Sequence, residues 1–90
     1  MSTSGEVLKS LEQALTATRT ALKQIDDLIV PHDYQDVASL VAKAAASLLE
    51  SASYLMQSKD EDAFAALEAA DDTLDAVYDI IDSETEDDEY

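Results

Sequence analysis

The stretch YQDVASLVAKAAASLLESASYLM, residues 34–56, decides the fold. Within it Tyr34, Ala38, Val41, Ala45, Leu48, Ala52 and Leu55 alternate steps of four and three, the repeat of one face of an α-helix. Val37, Leu40, Ala44, Leu49 and Met56 widen that stripe until more than half the girth is apolar. A helix so broadly apolar belongs between two neighbours. Ala38, Ala42, Ala44, Ala45 and Ala46 add helix propensity and are small enough for close approach by another helix. Asp33 is the expected N-cap, with Asp36 near the positive end of the helix dipole.

On the N-terminal side, Leu8, Leu11, Leu15, Thr18, Leu22, Ile25 and Ile29 repeat at three and four, beside a parallel row of Val7, Ala14, Ala21 and Leu28. A first helix over about 6–30 follows, capped by Ser4 or Gly5 and ended by Pro31, with residues 1–5 as a loose arm. On the C-terminal side, Gln57-Ser58-Lys59-Asp60 reads as a tight turn. Ser58 and Glu61 have the spacing of a capping box, and Asp60 competes as the cap. Ala63, Leu67, Ala70, Leu74, Val77 and Ile81 then repeat as a third helix, assisted by Phe64, Tyr78 and Ile80. The expected helices span about 6–30, 34–57 and 60–82, in one domain. Residues 83–90 lack apolar periodicity and carry a block of like charge, which predicts a disordered acidic tail. Short connections make neighbours antiparallel, so the fold class is all-α, an up-down-up three-helix bundle.

Composition narrows the function. The 90 residues hold 21 Asp and Glu against 5 Lys and Arg, a net charge of −16. Residues 1–45 hold six acids and four bases, residues 46–90 fifteen acids and one base. Five scattered cations cannot track a phosphate backbone, which argues against direct nucleic-acid binding. No apolar run reaches the ~18 residues of a membrane span, and no signal-like segment opens the chain, so a cytoplasmic protein is expected. Without cysteine there is no disulfide, thiolate metal site or thiol nucleophile. Thirteen Asp against eight Glu, fifteen Ala and few Lys suit a cytoplasm of molar salt, where the Debye length is only ~3 Å and carboxylate repulsion is largely removed. That composition points to a halophilic archaeon.

Part of the chain resembles a known family. The matching pieces are Leu49-Glu50-Ser51-Ala52-Ser53-Tyr54-Leu55, then Asp62-Ala63-Phe64-Ala65-Ala66-Leu67-Glu68-Ala69-Ala70, then Leu74-Asp75-Ala76. Residues 41–77 thereby resemble the archaeal family catalogued as "domain of unknown function 357", in which an Ala-rich helix with a late Tyr meets a Gly-Asp turn and a second helix opening on Ala-Phe. The resemblance implies a small helical archaeal protein and supplies no activity. Lys59 stands where that family tends to have Gly, so a left-handed backbone there would cost roughly 1 kcal/mol.

Candidate chemistry is sparse. Glu61, Glu68, Asp72, Asp75, Asp79 and Asp82 share one face of the third helix. Such a row is a solvated, salt-screened surface, a landing site for a basic protein, or an oxygen-donor site for Mg²⁺ or Ca²⁺. No EF-hand is present, because Phe64 and Ala65 occupy the fifth and sixth positions of the loop that Asp60 would open. His32 follows Pro31 in a loop and has no second His or Cys with which to hold zinc or di-iron. Gly5 is the one glycine, so no phosphate loop exists. The leading expectation is a non-catalytic protein-interaction module, without cofactor or metal. Its unidentified protein partner would use the acidic face or an apolar surface at Tyr54 and Phe64, and the alternative is a divalent-cation-binding protein. A homodimer through the first or second helix is a further expectation, with Arg19 and Lys23 meeting acids of the third helix in a second subunit.

Overall fold

Three helices, α1 (Ser4–Asp26), α2 (Gln35–Met56) and α3 (Asp60–Asp87), make up the computed structural model, which describes residues 2–87 and the side chains of residues 2–83. They run up, down and up, and no strand occurs among the described residues. Cross-links between α1 and α2 show the antiparallel register. Asp26 meets Ser39, whereas Arg19, two turns earlier in α1, meets Glu50, three turns later in α2.

Helix ends differ from the expected bounds for local reasons. α1 begins early because Thr3 is the N-cap, its Oγ1 accepting the Glu6 N–H at 3.1 Å. It ends at Asp26 rather than 30, leaving an eight-residue connection, 27–34, where a three- or four-residue turn was expected. Proline at 31 removes a donor and disfavours helix at Val30. Gln35 then closes the opened helix end: its Nε2 donates to the Ile25 carbonyl at 2.9 Å, while its Oε1 accepts the His32 N–H at 3.3 Å. Tyr34, not Asp33, is the N-cap residue of α2, and its side chain makes no cap bond. Its backbone N–H donates instead to His32 Nδ1 at 3.0 Å, so His32, exposed as the sequence suggests, also braces the loop.

The α2–α3 turn also departs from the sequence reading. Ser58 has φ 60°, and it is the left-handed residue, not Lys59. The Lys59 N–H donates to the Tyr54 carbonyl at 2.9 Å and the Ser58 N–H to Leu55 at 3.1 Å, the two bonds of a Schellman ending. Ser58 therefore closes α2 and does not form the capping box expected with Glu61. The left-handed backbone costs roughly 1 kcal/mol at a non-glycine residue. Beyond Asp82, where a disordered tail was expected, the helix continues to Asp87. Ser83–Asp87 contains no Gly or Pro to stop it and includes two good helix formers, Glu84 and Glu86. The remainder of the expected tail, 88–90, lies outside the described residues.

Packing is sequential. α2 touches both other helices, and among the described residues no Cα of α1 comes within 8 Å of α3. The bundle is therefore an open layer with α2 in the middle, as its broad apolar girth predicts. Its extents are 53 × 29 × 22 Å, and its radius of gyration is 15.8 Å against the ~12 Å expected of a compact chain this long.

The buried residues are small. Ala44, Ala46, Ala63, Ala66, Ala70 and Val77 form the core, with Ser39 and Ser51 also buried. No residue of α1 is fully buried; Leu8, Leu11, Leu15, Leu22 and Ile25 are half-buried against α2. Small side chains let helix axes approach closely, and each row at seven-residue spacing faces one neighbour. Ser39 and Ala46 face α1, since Ser39 Oγ donates to Asp26 Oδ1 at 2.8 Å. Ala44 and Ser51 form the opposite row, against α3.

Candidate functional site

With α1 and α3 seated on its two small-residue rows, α2 half-buries Val37, Leu40 and Leu49 and keeps another row of large side chains outside. Tyr34, Val41, Leu48 and Leu55, each seven residues from the last, are 56, 46, 46 and 55% exposed. The sequence reading places these four in the core stripe, and that is corrected here. The row that packs is the one with the shortest side chains, because it brings the backbones nearest and excludes the bulky row from the contact.

α3 repeats the arrangement. Ala63, Ala66, Ala70 and Val77 are buried against α2, while Phe64, Leu67 and Tyr78 are 62, 40 and 58% exposed. At 100° per residue, Phe64, Leu67 and Tyr78 lie about a quarter turn from the buried row of α3. Val41 and Leu48 lie a comparable angle from the Ala44–Ser51 row of α2. Because the helices are antiparallel, these rotations bring both rows to the same side of the layer. The same geometry places Ala14 and Ala21 of α1 on that side, both exposed. One face of the layer is thus apolar across all three helices. From α1 and α2 it draws no charged side chain, and Asp60, Asp71 and Asp82 interrupt it on α3.

The opposite side is polar. Arg19 Nη2 donates to Glu50 Oε1 at 3.0 Å across α1 and α2, with the two side chains 58 and 31% exposed. Such a pair contributes at most about 1 kcal/mol. Arg19 therefore has a partner within its own chain. Below the pair, Leu15, Arg19, Glu50, Ser53 and Tyr54 line a cleft of about 110 Å³. Tyr54 is half-buried there, on the other side of the layer from Phe64, so the structure does not bring these two together.

The acidic residues Glu61, Glu68, Asp72, Asp75, Asp79 and Asp82 are all exposed. Glu61, Glu68, Asp72, Asp75 and Asp79 lie roughly half a turn from the buried row, along the outer edge of the layer, whereas Asp82, five full turns on from Phe64, shares the side of the helix that Phe64 occupies. Among the described residues no three His, Asp or Glu side chains converge in a way that could hold a metal ion. A depression of about 580 Å³ is a shallow, solvent-open surface where Leu28, Ile29 and Val30 fold beside Thr20, Lys23 and Gln24. No helix is long and apolar enough to cross a membrane among the described residues.

In comparisons with known proteins, no family model matches the chain, and no curated protein or solved structure matches it either.

The apolar face was missed in the sequence, although a signal for it was present. Two rows of small residues, Ser39/Ala46 and Ala44/Ser51, flank a row of large ones on α2. Two small flanks on one helix mark two close neighbours and a bulky row left between them.

Proposed function

We propose that the protein is a non-catalytic interaction module, working in the cytoplasm of a halophilic archaeon, whose apolar face receives another protein surface. One observation carries this reading: the bulky rows of α2 and α3 are exposed side by side on one face. Soluble monomers seldom expose a continuous apolar patch of more than a few hundred Å². The reading is further supported by the chemistry of the rest of the surface. The described depressions are open and shallow, and they bring together no nucleophile, base and desolvated wall. The acidic edge of α3 borders the apolar face beyond Phe64 and Tyr78, so it acts as a polar rim that orients an incoming partner. Tyr54, on the polar side, plays no part. The resemblance of residues 41–77 to the archaeal family of unknown function adds no activity.

The test is recovery of bound protein from native extract at molar KCl. Leu48→Glu or Phe64→Glu should abolish recovery, and exchanging Glu68, Asp72, Asp75 and Asp79 for Asn or Gln should weaken it. Equal recovery by parent and face variants of matched helicity would contradict the reading.

A further inference from the structure

We infer that the surface covering the apolar face is a second copy of this chain, packed layer on layer. The inference rests on the interaction reading above and names the occupant of the same face. Area is the first argument. A compact 9.7 kDa monomer exposes about 5,100 Å², whereas this chain exposes 6623 Å². The overhang of α3, 28 residues against 22 in α2, the exposed connection at Leu28, Ile29 and Val30, and the uncovered face all contribute to that excess. An aromatic side chain buries ~150–250 Å² when fully covered, so Tyr34, Val41, Leu48, Leu55, Phe64 and Tyr78 at their observed exposures still offer several hundred Å². With Leu67 and the smaller residues between them, the face approaches the ~800 Å² per partner of a stable protein interface.

The core gives the second argument. Among the described residues the buried apolar ones are five alanines and one valine, while the Leu, Ile, Phe and Met side chains are half-buried or exposed. Obligate homodimer interfaces resemble a domain core cut in half. This layer looks like one such half, with its large side chains on the cut surface.

Charge selects the arrangement. A chain of net charge −16 resists its own copy, yet the face contributed by α1 and α2 has no ionisable group except the Tyr34 hydroxyl. Setting α3 against α3 of the partner would align two acidic edges. A two-fold axis along α2 avoids this and lays α3 over the partner's α1. Phe64 and Leu67 then fall on the small row of Ala14 and Ala21, large against small, Tyr78 reaches past the end of α1, and Val41 and Leu48 meet their own copies at the axis.

The chain has no cysteine, so single-cysteine variants report the contact cleanly. In 3 M KCl the parent should sediment at about twice 9.7 kDa. Mild oxidation of Leu48→Cys should give a covalent dimer. Lys43→Cys, on the polar side, should give at least tenfold less. The cysteine variants keep the face apolar, so they remain informative even if a charged residue at position 48 prevents folding. A helical parent that sediments as a monomer overturns the inference, as does cross-linking at 43 equal to that at 48. If the parent is monomeric but Phe64→Glu still abolishes recovery of a bound protein, the interaction reading stands with a different occupant. If recovery is also unchanged, both fall.

Discussion

Replacing Ala70 by Leu should destabilise the protein by about 2–3 kcal/mol, because overpacking a close helix contact forces side chains off rotamer or backbones apart. Ala70 is 1% exposed and lies in the α3 row pressed against α2, whose facing residues Ala44 and Ser51 are each 2% exposed. Nothing long enough to move aside stands in either row. For a domain this size each kcal/mol shifts Tm by roughly 4–8 °C, so a fall of more than about 10 °C is expected. Ala69→Leu is the control. It is the neighbouring residue, exposed, and should change stability by no more than about 0.5 kcal/mol. Thermal and urea unfolding of both variants at constant KCl measure the difference. Equal effects would show that the small rows do not set the helix spacing.

Lowering KCl from about 3 M to 0.1 M should remove most of the helicity. On α3, residues three and four apart stand ~5–6 Å from each other, inside the ~10 Å Debye length at 0.1 M but beyond the ~3 Å length at 1 M. Glu68, Asp72, Asp75, Asp79 and Asp82 therefore repel one another only in dilute salt, and α3 offers no Lys or Arg to offset them. A core of alanines leaves little stability in reserve. Circular dichroism along the titration should show a cooperative gain of helix with KCl, and millimolar Mg²⁺ at matched ionic strength should add nothing. Helix restored by magnesium alone would turn the acidic edge into a cation site.

Fold class was legible because period and turn residues agree along the chain. The apolar spacing of α2, Pro31 after α1 and the Ser58–Asp60 turn each mark one boundary or face, and together they give three antiparallel helices. The helix ends were less legible, since they depend on bonds between distant residues. Gln35 holding the Ile25 carbonyl and His32 accepting from Tyr34 have no signature in local spacing. The site was legible in composition but not in placement. Phe64 was picked out, and it is exposed on the apolar face. Tyr54 was picked out with it and lies on the other side. Hydrophobicity ranks Leu48 and Val41 above Ala44 and Ser51 for burial. Close packing reverses that order, because two helices approach along their smallest side chains. Periodicity shows which residues share a face, and side-chain size decided which face met a neighbour.

The most direct test places a photo-cross-linking benzoylphenylalanine at Phe64 in one strain and at Asp72 in another, with irradiation in intact native cells. Position 64 accepts an aromatic group without adding bulk to the core, being 62% exposed. If the apolar face is where protein binds, the label at 64 forms discrete adducts, a doubled chain prominent among them, and the label at 72 forms few or none. Adducts at 72 with none at 64 would contradict it and move the binding surface to the acidic edge.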